Sequence, residues 1–182
     1  MKLRVKIGLF LMFIIASIVI TIRYTRGVGF REGYSPKQPI NFSHKVHAGD
    51  NQMQCMYCHF AADKGRHAGI PPTELCMNCH TKVQAKAPEI VKLKELISSG
   101  KNVKWTRVHN LPDYAYFNHS QHVKVGKISC QSCHGEVQTM AILKQEKAMN
   151  MGWCLDCHRQ NNIAPPKDHK SQNGGNCASC HY

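Results

Sequence analysis

The ten cysteines of this 182-residue chain all fall in five copies of one short pattern, Cys-x-x-Cys-His. These copies span residues 55–59, 76–80, 130–134, 154–158 and 177–181, and we call them the first to the fifth motif. Their thiols are Cys55, Cys58, Cys76, Cys79, Cys130, Cys133, Cys154, Cys157, Cys177 and Cys180, and their histidines are His59, His80, His134, His158 and His181. Two thiols at this spacing attach one haem through thioether bonds, and the adjacent imidazole binds the iron as the proximal ligand. The pattern therefore predicts five covalently attached c-type haems.

Two other uses of paired cysteines fit the pattern less well. A zinc site would be closed by two cysteine pairs, but five pairs cannot be grouped in twos, and the histidine after each pair would have no role. Disulfides within the motifs would close five cramped loops and would connect no distant parts of the chain. Haem attachment uses every cysteine and every following histidine.

Haem binding on this scale also constrains the fold. The 160 residues that follow Ile22 supply only 32 residues for each haem. The porphyrins must then fill most of the interior, so we expect a mostly irregular chain with short α-helices, packed around five haems as a multihaem cytochrome c domain. The clearest amphipathic segment covers residues 88–99, with Pro88 at the first helical position and Gly100 as the stop signal.

The N-terminus carries an uncharged apolar run from Ile7 to Ile22 between Lys6 and Arg23. Sixteen helical residues rise about 24 Å, slightly less than the roughly 30 Å of a bilayer core, but the flanking basic side chains can extend the span. A signal peptide would need a small-x-small cleavage site after the run, which is missing. We therefore predict a retained transmembrane anchor at 7–22 after a cytoplasmic tail at 1–6.

Haem attachment to this pattern takes place outside the cytoplasm in bacteria, so the motifs belong on the periplasmic or extracytoplasmic side. The predicted location is the bacterial inner (cytoplasmic) membrane, crossed once. The formal charge of +13 would otherwise suggest nucleic acid. With every iron ferrous, ten haem propionates would reduce that charge to +3, so no nucleic-acid partner is predicted. A residual basic face fits anionic membrane lipid or an acidic redox partner.

A repeat with an offset of 75 residues divides the rest of the chain. Phe-Ser-His-Lys-Val-His at 42–47 precedes the first motif, and Phe-Asn-His-Ser-Gln-His at 117–122 precedes the third. The offset also relates the two motifs that follow, which indicates two copies of one haem-binding unit. The predicted organisation is a juxtamembrane linker at 23–40, a two-haem half at 41–80, a connector with one helix at 81–116, and a three-haem half at 117–182.

The F-x-H-x-x-H element ahead of each motif resembles that of class III multihaem cytochromes c, in which its first histidine caps the next haem and its second caps a haem further along. The resemblance implies that His44 caps the first haem, His119 the third and His122 the fifth, while His47 reaches some later haem. For the last distal position we choose His109, in a connector that can return between the halves to cap a haem of the first half. His67, His169, Met140 and Met151 remain as alternatives.

A narrower resemblance covers most of the chain from residue 40 onward. The segments 42–49, 68–80, 107–122 and 151–159 together resemble the pentahaem subunit of alternative complex III. The resemblance implies an electron-transfer subunit of a quinol-oxidising respiratory complex with integral membrane subunits. Such a subunit takes electrons from an iron–sulfur subunit and passes them toward a monohaem cytochrome c or a terminal oxidase.

Catalysis by the chain itself is not predicted. A catalytic haem needs an open iron position, but seven histidines outside the motifs are available for five irons. Paired carboxylates, a Ser/His/Asp set and a phosphate loop are all missing. We expect an electron carrier rather than an enzyme. The alternative is a freestanding membrane-tethered multihaem quinol dehydrogenase or a periplasmic electron carrier.

Overall fold

The structure is a computed structural model that describes residues 2–27, 31–161, 163 and 177–181. Its α-helices are α1 (Lys2–Gly27), α2 (Cys55–Cys58), α3 (Met77–His80), α4 (Pro88–Ser98), α5 (Cys130–His134) and α6 (Met151–Gln160). Single turns of 3₁₀-helix at Thr73–Cys76, Val137–Thr139 and Cys177–Ser179 and of π-helix at Lys45–Asp50 and Gln121–Val125 join them. These described ranges contain one isolated β-bridge and no strand, which confirms the predicted mostly irregular chain with short helices.

Every motif lies on a helical turn. The first four occupy α2, the α3 turn with its preceding 3₁₀ turn, α5 and α6, and the fifth begins on the 3₁₀ turn Cys177–Ser179. Residues three apart lie on the same face of a helix, so each turn presents its two thiols on one side. In α6, the side chain of Asn150 accepts a hydrogen bond from the Trp153 backbone N–H at 2.8 Å and so caps the helix that carries the fourth motif.

Helix α4 forms where the sequence predicts it. Pro88 occupies its first turn, the helix ends at Ser98, and Gly100 adopts the positive φ of +67° that suits a residue after a helix end. Its apolar face buries Leu93, which is 3% exposed, against Ile40 and Val103. This cluster is the main polypeptide core and lies beside the second motif, because Cys76 and Met77 pack against it.

Leu93→Ala is expected to lower the free energy of unfolding by about 2–5 kcal/mol, because the truncation leaves a cavity in this small core. Val91→Ala is the matched control, since Val91 lies on the same helix but is exposed, and its effect should stay within about 0.5 kcal/mol. Chemical denaturation of the two variants measures the difference. Equal effects would show that the α4 cluster does not stabilise the domain.

The polypeptide core is small for a chain of this length. The buried hydrophobic residues among those described are Ile40, Ala62, Leu93, Val103, Val108 and Met140. So few side chains cannot offset the conformational entropy lost when well over a hundred residues become ordered. The fold therefore depends on material other than aliphatic side chains in its interior.

The two halves pack closely where the first π-helical turn meets the segment after the third motif. The Lys45 backbone N–H donates to the Met140 carbonyl at 2.9 Å. A Cβ atom on Gly49 would collide with the Gln138 carbonyl, so only glycine allows this approach of two backbones. The halves are therefore parts of one packed unit.

Helix α1 is longer than the predicted 7–22 anchor. It begins at Lys2 and continues to Gly27, so it includes tail residues and the first part of the predicted linker. Its segment Arg4–Tyr24 has a mean hydropathy of 2.6 and buries no residue against the rest of the chain. Length and composition allow it to cross a membrane, although an N-terminal signal sequence has the same properties.

The segment after α1 is attached to the haem-binding part through Gln145, which is fully buried. The Gly33 N–H donates to the Gln145 carbonyl at 2.7 Å, and the Gln145 N–H donates to the Tyr34 carbonyl at 3.0 Å. The Gln145 side chain accepts from the Asn110 N–H and donates to the Lys147 carbonyl. The described part of the linker is thus fixed to the segment that precedes the fourth motif.

Candidate metal centres

The two F-x-H-x-x-H elements have the same geometry. Phe42 lies edge-on to His44 at 4.9 Å between ring centres and stacks on His47 at 4.3 Å. In the second element, Phe117 lies edge-on to His119 at 4.8 Å and stacks on His122 at 4.6 Å. The 75-residue sequence repeat is therefore also a repeat in three dimensions, and in each copy the phenylalanine sets the directions of both imidazoles.

Most of the candidate ligand histidines have one ring nitrogen fixed by a backbone carbonyl. The Nδ1 atoms lie at 2.8 to 3.3 Å from the carbonyl oxygens of the following partners: His47 with Ser43, His59 with Gly69, His80 with Val83, His119 with Arg66, His122 with Asn118, and His181 with Tyr114. A carbonyl only accepts, so Nδ1 carries the proton and donates. The unprotonated Nε2 is then free to bind a metal, which is the usual arrangement of a ligating histidine.

Three of the predicted distal histidines face a motif histidine at one common distance. The ring centres are 6.0 Å apart for His47 and His80, 6.4 Å for His119 and His134, and 6.1 Å for His122 and His158. A bond between a metal and an imidazole nitrogen is about 2 Å long, so two imidazoles on opposite sides of one iron have ring centres roughly 6 Å apart. All three pairs leave room for one metal ion between them.

These pairs differ from the sequence expectation at His122, which we assigned to the fifth haem. The structure sets its ring 6.1 Å from that of His158 of the fourth motif, so the geometry favours the fourth motif over the fifth as its partner. His47, whose partner motif the sequence left open, faces His80 of the second motif. In each element the second histidine lies on the π-helical turn or at its start, which directs it away from the next motif and toward the one after.

His44 lies near the first motif, as the resemblance implies. Burial, with a smaller contribution from the nearby charges of His59, His47 and His109, lowers its pKa to about 4. Its Nδ1 atom is buried and makes no hydrogen bond to any described residue. A neutral, buried imidazole beside His59 suits a metal ligand, because binding an iron needs the unprotonated form.

His109 lies beside the third motif rather than opposite a motif histidine. Its ring is perpendicular to that of His134, and the two ring centres are 4.4 Å apart. This separation is too short for two ligands on opposite sides of one iron. His134 already faces His119, and the two rings are nearly parallel, at 2°. Burial lowers the pKa of His109 to about 4, and its Nε2 atom is buried without a partner in the described chain. The distal-ligand role of His109 stays a prediction, and ligation opposite His134 does not fit this position.

The centre of the site is His134. Burial, together with the charges of His109, His119, His59 and His44, lowers its pKa to about 3. These four neighbours come from both halves and from the connector. His134 therefore lies where all three parts of the chain meet.

The motifs are not neighbours in the order of the chain. Burial raises the pKa of the Cys58 thiol, and Cys76 and Cys79 of the second motif add to the shift. Burial also raises the pKa values of three thiols in the third and fourth motifs, where the added neighbours are Cys55 for Cys130, Cys157 and Cys154 for Cys133, and Cys180 for Cys154. These electrostatic neighbours, with a hydrogen bond between Cys55 and Cys130, place the motifs in the series second, first, third, fourth, fifth. The sequence carries no signal for this order.

The fifth motif is held by the segment that leads into the second F-x-H-x-x-H element. Ala115 forms an antiparallel bridge with His181, and the Tyr116 N–H donates to the Cys180 carbonyl at 2.6 Å. The His181 ring lies 5.6 Å from that of Tyr114. Of the alternative ligands, His169 lies outside the described residues, Met140 is buried between the halves, and Met151 is exposed at the start of α6.

The family model described as "Cytochrome c7 and related cytochrome c" matches residues 40–104 and 115–182. The chain belongs to this family. Both halves are matched, and His109 lies in the short stretch between them. The cytochrome is therefore a multihaem c-type electron-transfer protein, which confirms covalently bound c-type haem as its cofactor.

A curated relative extends this result. The cytochrome is 43% identical over 103 residues to "Menaquinone reductase, multiheme cytochrome c subunit" of Nitratidesulfovibrio vulgaris strain Hildenborough. The aligned part is 56% of this chain and 48% of the relative, so the chain spans about half the length of that protein.

The residues of this cytochrome fit its cofactor. The helical turn of each motif presents two thiols on one side, with a histidine next to them. Three opposing imidazole pairs have the separation that a six-coordinate iron needs. The Nδ1 bonds to backbone carbonyls fix the direction of the rings. When bound, a c-type haem supplies a one-electron Fe(III)/Fe(II) couple, and its axial ligands and burial set the potential.

Proposed function

We propose that this chain is a membrane-anchored pentahaem cytochrome c subunit of a quinol-oxidising respiratory complex of the alternative complex III type. In this role it receives electrons from an iron–sulfur subunit and passes them toward a monohaem cytochrome c or a terminal oxidase. The observation that carries the proposal is the set of three opposing histidine pairs at 6.0 to 6.4 Å. Imidazoles on both sides of an iron leave no position for a substrate, which suits electron relay rather than catalysis.

The proposed ligand set follows from the motifs and these pairs. The ten motif cysteines attach the haems and the five motif histidines are the proximal ligands, while His44, His119, His47 and His122 are distal ligands of the first, third, second and fourth motifs. The chain's part in electron transfer is to hold these imidazoles in fixed directions. The carbonyl bonds to Nδ1 do so, and a ligand held rigidly keeps reorganisation on electron transfer small.

The proposed membrane attachment rests on α1. Its exposed apolar residues occur on all sides of the helix, which suits lipid or integral membrane subunits as neighbours. Retention of α1 would anchor the haem-binding part at the periplasmic face. The hydrogen bonds of Gln145 to Gly33 and Tyr34 would then hold that part close to the membrane surface.

A second candidate function reverses the direction of electron flow. The curated relative is named as a subunit of a menaquinone reductase, which implies electrons moving toward the quinone pool in that protein. The same ligand set would serve a quinone-reducing complex equally well, because a chain of six-coordinate haems conducts in either direction. The two candidates differ in their partners and in the sign of the driving force.

Purification of the tagged full-length chain from its native membranes tests the proposal. We expect an iron–sulfur protein and integral membrane proteins to co-purify, and the haems of that complex to become reduced when a quinol is added. Reduction of added menaquinone by the reduced complex, without quinol oxidation, would favour the second candidate. Recovery of the chain alone in mild detergent, with all its haems, would overturn the subunit role and favour a freestanding carrier.

A further inference from the structure

The fifth motif lacks an opposing histidine in the described chain. His44, His47, His119 and His122 are each placed at one of the other four motifs. His181 nevertheless has the geometry of a ligand, because its Nδ1 faces the Tyr114 carbonyl at 3.3 Å and its Nε2 is left free. One distal position is therefore unassigned.

The loop that approaches this motif comes from the other half of the chain. The Arg66 guanidinium donates to the Ala115 carbonyl at 3.4 Å and lies over the Tyr116 ring at 5.5 Å. Ala115 is the residue bridged to His181, and Tyr116 is hydrogen-bonded to Cys180. The 65–67 loop of the two-haem half is thus joined to the segment that holds the fifth motif.

Two further contacts fix this loop on either side of residue 67. The Arg66 carbonyl accepts from His119 Nδ1 at 2.8 Å, and the Gly69 carbonyl accepts from His59 Nδ1 at 2.8 Å. Gly69 adopts φ +80°, which favours glycine at this position. His67 lies between these two anchors, so its backbone is held at the junction of the halves.

A cavity of about 340 Å³ lies next to this junction. Its lining includes Arg66, Tyr116, His122, His158 and Cys180. It therefore extends from the Arg66 loop to the fourth and fifth motifs. A planar cofactor attached at Cys180 would have space between its motif and Arg66, the residue that precedes His67.

We propose that His67 is the distal ligand at the fifth motif, supplied by the two-haem half to the three-haem half. This inference rests on the proposed function only in taking the fifth motif as a haem site. His67 is exposed, and none of the described residues is hydrogen-bonded to its ring, so its imidazole is free to bind. Among the competing residues that the structure describes, His109 lies against His134, and Met140 packs between the halves beside Lys45.

Ligation of a haem by residues from both halves has a consequence for assembly. A haem attached to the three-haem half and capped from the two-haem half links the two halves through the metal. The halves then gain their last coordination bond only when both are folded and docked. Neither half alone would give a fully six-coordinate set of haems.

The test uses the full-length holoprotein and electron paramagnetic resonance of the oxidised haems. His67→Ala should convert one haem of the set from low spin to high spin, and added imidazole should restore the low-spin signal. His67→Met should keep that haem low spin and raise its potential, because a His/Met pair has a higher potential than a bis-His pair. The matched controls His109→Ala and His169→Ala should leave every haem low spin.

A second variant shows which motif carries the haem that loses its ligand in His67→Ala. When His67→Ala is combined with Cys177→Ser and Cys180→Ser, the high-spin signal should disappear together with the fifth haem. An all-low-spin His67→Ala protein, or a high-spin signal that survives in the combined variant, would overturn the assignment. The intact mass is the separate check on the proposed function: a wild-type mass increase other than five haems contradicts the pentahaem proposal whatever the His67 result.

Discussion

Replacing both cysteines of the fifth motif by serine is expected to remove one haem and leave the other four, whereas the same change in the third motif should abolish the folded domain. The two effects differ because the fifth and third motifs occupy different places in the spatial series of motifs. The fifth motif ends the series of motifs, since its described neighbour in that series is the fourth, through Cys154. The third lies between the first and the fourth, and its His134 meets residues from both halves and the connector.

Intact mass under denaturing conditions measures the haem count, and limited proteolysis measures the folded fraction. Wild-type protein should exceed its chain mass by five haems, and the fifth-motif variant by four. Ser132→Ala is the matched control within the third motif, because Ser132 is an exposed spacer whose hydroxyl contacts only Ser129 among the described side chains. A third-motif variant that folds with four haems would show that the centre of the series is not essential.

The chemistry of the site could be predicted from the sequence because it is local. Attachment of one haem needs two thiols three residues apart and the next residue, all within one helical turn, so five motifs can be identified without knowledge of the fold. The same holds for α4, whose limits follow from Pro88 and Gly100. The 75-residue repeat was also visible, because the phenylalanine that orients each histidine pair lies within five residues of both.

The pairing of distal ligands with motifs could not be predicted, because it depends on how distant segments pack. Nothing near residue 122 indicates that its imidazole faces His158, since that contact depends on the path of 35 intervening residues. His109 shows the same limit: its place in the connector suggested a bridging ligand, but the loop sets it edge-on to His134. The spatial order of the motifs arises in the same way.

The attachment of the N-terminal segment is another feature without a sequence signal. Gln145 lies in an irregular stretch between the third and fourth motifs, yet it is fully buried and all its polar groups meet partners from Gly33, Tyr34, Asn110 and Lys147. A buried amide is retained only where its donors and acceptors are satisfied. This residue therefore connects the segment around Gly33 and Tyr34 to the same region of the chain that carries His109 and leads into the fourth motif.

Removal of the His122 imidazole is the other change with a large expected effect. In His122→Ala one haem should change from low spin to high spin and become able to bind an added ligand such as cyanide or imidazole, because its iron loses an axial ligand. The matched control is Gln121→Ala, since Gln121 is the exposed neighbour on the same π-helical turn. All haems of this control protein should stay low spin. Electron paramagnetic resonance of the oxidised protein measures both.

The combination with motif variants decides which haem His122 serves. The distance of 6.1 Å to His158 places it at the fourth motif, so the high-spin signal of His122→Ala should persist when Cys177→Ser and Cys180→Ser remove the fifth haem. It should vanish when Cys154→Ser and Cys157→Ser remove the fourth. The opposite pattern would restore the fifth-haem assignment that the class III resemblance implies. The variant His122→Met gives an independent measure. All its haems should be low spin, and one should have a raised reduction potential. That haem should be missing when Cys154→Ser and Cys157→Ser are added.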